Sequence, residues 1–325
     1  MVSSISWIPS GAMTGPMRVP MDIGVGHYDP PPPDRIDEAT LDGLQDDDRL
    51  RFANRLEAWI EVEGDEIVDA GYSGRGIVGS TTASFGVGSI TFPGVEYPLI
   101  QDRPVIENGV ARFVQTAGGR TGAPFPHRIE HRPFMRISGP TAWTTLVLEI
   151  GVDGSTRYEL VGASPFPRHW IYDSEGRLAA ESGVIDFTEW SKVHDYDHSP
   201  WHGVQHDAVV AEAETAAERT LSSEVMNAGA SIHKMDVDEL LTREGEPGDE
   251  LYLIVDGVLE VEVDGAVLTE IGPGAIVGER ALLEEGLRTA TVRALTPVKV
   301  AVIRGGVADP ESLIDVAAGH RREEG

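Results

Sequence analysis

The sequence predicts a mainly β protein, with an N-terminal antiparallel β-sandwich or barrel followed by a C-terminal double-stranded β-roll with flanking helices. Three observations carry this expectation. Hairpin patterns succeed one another from about Arg49 to Glu189, a helical period takes over between Asp207 and Met226, and short strands broken by glycine follow to about Ile303.

The bulk numbers set the class. A chain of 325 residues with 41% hydrophobic and 25% charged content can bury ordinary globular cores, and its length suggests two domains. No apolar run approaches the length of a membrane-spanning helix. Met1 to Pro20 lacks a basic start and an apolar stretch, so no secretory signal is expected. The absence of cysteine excludes disulfides and thiolate metal sites and fits a cytoplasmic setting. With 26 Lys and Arg against 54 Asp and Glu, the formal charge is −28. Such a surface repels nucleic-acid backbones and anionic lipid, so neither is expected as a partner. An anionic ligand would need a local positive pocket.

Residues 1–48 read as a disordered or extended segment, because Asp29-Pro30-Pro31-Pro32-Pro33-Asp34 is a polyproline spacer and Asp46-Asp47-Asp48 an acidic run. Residues 49–200 form the antiparallel β domain. Leu56 to Val62 and Ile67 to Tyr72 flank a turn at Gly64-Asp65. Thr144 to Val152 alternates, placing Leu146, Leu148, Ile150 and Val152 on one face, turns at Asp153-Gly154 and returns through Arg157 to Val161. Trp170 to Tyr172 and Leu178 to Ala180 flank a further turn at residues 173–176. Residues 201–226 are a linker and connecting helix, with Val210, Ala213, Ala217, Leu221 and Val225 on one face.

Residues 227–325 form the last domain. Glycine-rich turns at 244–249, Gly257, Asp264-Gly265 and 272–274 separate short strands at the spacing of a β-roll. The chemistry lies in Gly278-Glu279-Arg280-Ala281-Leu282-Leu283 and in Arg288-Thr289-Ala290. Gly278 lets backbone approach a ligand closely. Residues 279–284 favour a short helix whose free N–H groups suit an anion. Arg288 can return to pair with a phosphate oxygen, and Glu279 is an acceptor suited to a ribose hydroxyl. Arg280 is either a solvated side chain or a second positive charge near that phosphate.

The segment from about Ile232 to Ile303 resembles the cyclic-nucleotide-binding domains of kinase regulatory subunits, catabolite-activator-type regulators and gated channels. That family's Gly-Glu-x-Ala-Leu…Arg-x-Ala pattern falls on Gly278, Glu279, Ala281, Leu282, Arg288 and Ala290. The resemblance implies that Glu279 holds the ribose 2′-hydroxyl, while Arg288 and the backbone N–H groups of Ala281 and Thr289 hold the phosphate. It implies cyclic AMP or cyclic GMP as ligand, and no other cofactor. Thr289 leaves the base open, with cyclic AMP favoured. The family closes its pocket with a C-terminal helix; here Asp309-Pro310 begins one, and Leu313 or Ile314 is the lid candidate. No helix-turn-helix follows in this sequence, so DNA binding is not expected.

Other signals weigh less. Gly74-Arg75-Gly76-Ile77-Val78-Gly79 matches a dinucleotide fingerprint, but β-like residues follow it rather than a helix. His194, His198, His202 and His206 could bind zinc or nickel if helical, yet Pro200 and Gly203 break such a helix, so a polar linker is favoured and no metal is expected. The aromatic and basic residues of 124–127 and 164–170 read as structural corners rather than a ligand-binding barrel mouth. Nothing in the sequence demands an enzyme. The resulting expectation is a cyclic-nucleotide sensor acting on an unknown protein effector, with self-association left open. The alternatives are a non-binding roll used for assembly, or a nucleotide-gated carrier or enzyme in the N-terminal β domain.

Overall fold

A computed structural model describes all residues except 10–11, 14–17, 27, 30–31, 48, 87, 123, 129–133, 188–189, 191–197, 285, 305, 307–308 and 324–325. The chain divides into two compact units. The first comprises Met1–Ile8, Met13–Ala179 and Asp186–Ala208; the second comprises Pro9–Ala12, Ala180–Ile185 and Val209–Gly325. Strands dominate both, as the sequence predicts. Among the described residues no helix is long and apolar enough to cross a membrane.

The first unit rests on an antiparallel sheet in the order Arg168–Tyr172, Val2–Trp7, Phe52–Leu56, Arg75–Val78. One face is apolar. Ile5, Trp7, Ala53, Ile77, Trp170 and Tyr172 pack there with Leu41 and Leu44 of helix α1 (Glu38–Asp46). The opposite face meets a second antiparallel sheet built on Val110–Arg120, Thr141–Gly151 and Thr156–Ala163. Two packed sheets make this unit a sandwich, one of the two β architectures open from sequence.

The layer between the sheets combines an apolar cluster of Phe52, Val78, Ala117 and Ala142 with polar groups that hydrogen-bond across it. Asn54 Nδ2 donates to the Thr144 carbonyl at 3.0 Å, and Gln115 Nε2 donates to Asn54 Oδ1 at 2.8 Å. Ser4 Oγ lies 2.7 Å from Thr144 Oγ1. His169 is fully buried, with Nδ1 2.6 Å from Ser6 Oγ and Nε2 2.9 Å from the Ser164 carbonyl. Burial pushes its pKa down to about 4, so the ring is neutral at pH 7.

Residues 1–48 depart from the expected disordered or extended segment. Val2–Trp7 is a buried strand between two others, and Asp37 caps helix α1 by accepting from the Thr40 N–H. The sequence Val-Ser-Ser-Ile-Ser-Trp lacks the apolar run of a buried strand, because Ser4 and Ser6 face hydrogen-bonding partners in Thr144 and His169. The glycines of 74–79 serve the sheet rather than a nucleotide: a Cβ on Gly74 would strike the Arg55 carbonyl, and one on Gly79 the Leu50 carbonyl. His194, Asp195 and Asp197 lie outside the described residues, as do Pro30 and Pro31.

The second unit is a β-roll with two sheets. One runs Ser231–Met235, Val298–Arg304, Glu250–Asp256, Ile276–Val277; the other contains Leu240–Thr242, Thr291–Ala294, Leu259–Val263 and Ala266–Ile271. Met235, Tyr252, Ile254, Leu259, Val292 and Val300 fill the space between. Helices α2 (Ala216–Asn227) and α4 (Pro310–Glu323) share a second core, where Leu221, Val225, Leu313 and Val316 meet Leu251, Leu253 and Ile303.

The expected helix over 207–226 is shorter at its start. Val210–Glu212 is a strand, paired antiparallel with residues 180–182 and parallel with Ile271 through Glu212. Helix α2 begins only after Thr215, where a capping box operates: the Thr215 side chain accepts from Glu218 N–H and the Glu218 side chain accepts from Thr215 N–H. The main-chain pairing that claims 210–212 comes from residues about thirty positions away. Asp256 fastens the same 180–185 segment, accepting from the Ile185 N–H at 2.7 Å while paired with Lys299 Nζ at 2.7 Å.

Replacing Asn54 with Ala removes its buried hydrogen bonds to Gln115 and Thr144. The expected loss is about 1–3 kcal/mol of stability. Urea unfolding monitored by tryptophan fluorescence should show a lower midpoint with an unchanged slope.

Candidate functional site

The sequence-selected cassette sits at one end of the roll. Gly278 ends the short strand 276–277 and caps helix α3 (Glu279–Leu283) with φ +100°, a conformation other residues adopt only with strain. Arg288 follows on the next loop and threads back under it. A Cβ on Gly278 would collide with the Arg288 guanidinium and the Glu250 carbonyl, and one on Gly248 would collide with Arg288 as well. Two glycines therefore admit one guanidinium.

Arg288 is buried and held from several sides. Its Nη1 donates to the Glu250 carbonyl at 2.8 Å, and its guanidinium lies 5.1 Å from the centroid of the Tyr252 ring. Tyr252 donates its hydroxyl to Glu250 Oε2 at 2.8 Å. Burial, then this hydrogen bond, pushes the Tyr252 pKa up to about 12 despite the neighbouring arginine, so the phenol keeps its proton. The main chain of the loop is tied down by Arg288 N–H to Glu246 carbonyl, 2.8 Å, and Gly245 N–H to Arg288 carbonyl, 2.8 Å.

A cavity of about 380 Å³ opens beside these groups. Gly278, Glu279, Arg280 and Ala281 line it from α3, and Arg288, Thr289 and Ala290 from the following loop. Val261, Leu268, Ile271 and Val292 supply an apolar wall. Of the sequence-selected cassette residues, Leu282 is not on this surface; it packs against the core under α2 and α4. Arg280 reaches the cavity while its Nε lies 3.6 Å from Glu284 Oε1, so it is not simply solvated.

The lid candidates lie elsewhere. Leu313 is buried in the helix core and Ile314 is exposed, so neither lines the cavity. The residue of α4 that does is His320, two turns further along. Its Nδ1 lies 3.0 Å from Glu279 Oε1 and its Nε2 3.0 Å from Glu218 Oε1. Burial alone would lower the His320 pKa, but the two carboxylates outweigh it and hold it up at about 10. Both ring nitrogens therefore carry protons and donate. Glu218 shows the reciprocal effect: burial disfavours its charge, yet His320, the Ile276 N–H and Thr215 hold its carboxyl below the usual range. Sequence reasoning missed His320, Glu218 and Tyr252. A histidine in the last turns of a helix carries no signal of its target, because the partners lie 41 and 102 residues away.

Residues 233–308 match the family model of the cyclic nucleotide-binding domain. Among curated proteins, the cGMP-dependent protein kinase egl-4 of Caenorhabditis elegans is 44% identical over 61 residues, 19% of this chain and 8% of that protein. The cyclic nucleotide-gated potassium channel mll3241 of Mesorhizobium japonicum is 38% identical over 82 residues, 25% of this chain and 20% of that protein. The cAMP-dependent protein kinase regulatory subunit of Debaryomyces hansenii is 40% identical over 84 residues, 26% of this chain and 17% of that protein. The chain thus matches no more than a fifth of the length of these relatives. Residues 233–308, which match that family model, make up most of the second unit.

Proposed function

We propose that the chain is a cyclic-nucleotide sensor in which Arg288 and the backbone N–H groups of Ala281 and Thr289 hold the phosphate while Glu279 accepts the ribose hydroxyl. The observation that carries this reading is the pairing of two buried groups of opposite sign, Glu279 and Arg288, on the walls of one cavity. A volume of about 380 Å³ lies in the ordinary range for small-molecule sites, about 300–1,000 Å³. The apolar wall of Val261, Leu268 and Val292 suits a purine base, and the fixed guanidinium suits a singly charged phosphate.

Cyclic AMP is the favoured ligand. The named relatives include a cGMP-dependent kinase and a cAMP-dependent kinase subunit, so they do not choose the base. The Thr289 hydroxyl is the group that would reward a guanine amino group. In this reading the ligand acts through α2 and α4, which pack together on the roll, and the output passes to a protein effector. The module itself is regulatory and non-catalytic.

Calorimetric titration with cyclic AMP and cyclic GMP tests the proposal. Arg288→Ala should weaken binding by roughly 30-fold or more, since it removes a buried charge contact. Thr289→Ala should leave cyclic AMP binding unchanged and lower any affinity for cyclic GMP. Wild-type protein that binds neither nucleotide would rule the sensor out.

A further inference from the structure

The His320 contact engages one oxygen of the group on which the proposed ligand depends. The Glu279 side chain is 5% exposed and the Glu218 side chain 4%, against 24% for His320. His320 holds one oxygen of that cavity-lining carboxylate, Oε1, so a ligand hydroxyl approaching Glu279 competes with the imidazole for it. Glu279 sits within the cassette and Glu218 is anchored by Ile276 and Thr215, whereas His320 of α4 is the most exposed of the three.

We propose that His320 is an internal competitor, occupying Glu279 until a hydroxyl-bearing cyclic nucleotide displaces it, and that displacement frees α4 from α2 and releases a proton. The proposal rests on the cyclic-nucleotide reading above. It adds to that reading a built-in opposing contact and a pH dependence of affinity.

The geometry explains why the effect is coupled. One imidazolium bridges a carboxylate of α2 and a carboxylate of α3, so removing it breaks both links at once. Adjacent Gly319 brings α4 close to Thr215, the cap of α2, with a Cβ position only 3.5 Å from the Thr215 methyl. The charged groups around the cavity are Glu218 of α2, Glu279 and Arg280 of α3, Glu212 and Glu214 before α2, and Arg288 beyond α3. Of these, Glu218 is held below the usual carboxylate range by its hydrogen bonds and by His320.

The sign follows from the change at His320. Bridged, it holds its proton to about pH 10; released into water, an imidazole titrates near pH 6.5. Below about pH 6.5 both forms are protonated and the contact opposes the ligand fully. Between about 6.5 and 10 the released form has lost a proton that the bridged form keeps. Rising pH through that window therefore weakens the contact and strengthens nucleotide binding, by up to roughly tenfold per pH unit.

The test is calorimetric titration of the full chain with cyclic AMP and cyclic GMP, from pH 6 to pH 9, in two buffers of different ionisation enthalpy. Wild type, His320→Ala and His320→Gln are compared. Wild type should release close to one proton at pH 8 and bind more tightly as pH rises. His320→Ala should bind roughly tenfold more tightly at pH 7 and release no proton. His320→Gln keeps a hydrogen-bonding group without a titrating one, so it should lose the pH slope. Should the alanine variant fail to fold, the wild-type proton count and the glutamine variant decide. Nucleotide binding without proton release, or with affinity unchanged or weakened in folded His320→Ala, overturns the competitor while leaving the sensor reading intact. No binding by any of the three proteins overturns both.

Discussion

Glu218 is the buried charge on which the arrangement of the second unit depends. One oxygen accepts from the Thr215 N–H and hydroxyl and so starts helix α2; the other accepts from the Ile276 N–H of the roll and from His320 of α4. Two helices and a strand leading into the cassette thus converge on one carboxylate. A charge this buried is costly unless paired and hydrogen-bonded, and here each oxygen is committed. The position of α4 over the cavity follows from that requirement as much as from the apolar contacts of Leu313 and Val316 with the roll.

Arg288 imposes the second constraint. A guanidinium can pass beneath the cassette only where Gly248 and Gly278 leave room, and it stays there because the Glu250 carbonyl and the Tyr252 ring meet it. The cation is positioned by the fold before any ligand arrives, which reduces the ordering that binding would require. This matters in a chain of formal charge −28, whose long-range field opposes an anion. Attraction for a phosphate must come from a charge held at short range in a partly desolvated wall, where screening is weak.

The first unit solves a related problem with neutral groups. Its two sheets meet through Ser4, Asn54, Gln115 and Thr144 as well as through apolar side chains, and these four residues hydrogen-bond to one another across the layer. The apolar stripe of the sandwich lies on the other face of the first sheet, beneath α1. A strand buried through serines loses the hydrophobic signature by which buried strands are read. That is why Val2–Trp7 escaped sequence reading while the hairpin over residues 141–163, with its regular alternation, did not.

The sequence by itself determined the local features: the hairpin turns at Gly64 and Gly154, the glycine-broken strands of the roll, the N-cap at Asp309, and the cassette from Gly278 to Ala290. Each depends on residues close in the chain, where a backbone conformation or a fixed spacing writes directly into residue type. Tertiary structure alone decided that Val210–Glu212 pairs with residues 180–182, that Leu282 and Leu313 turn into the core, and that His320 joins Glu279 to Glu218. Those outcomes depend on which segments meet across long sequence separations. A histidine, a glutamate or a leucine has the same local preferences whichever partner the fold brings to it.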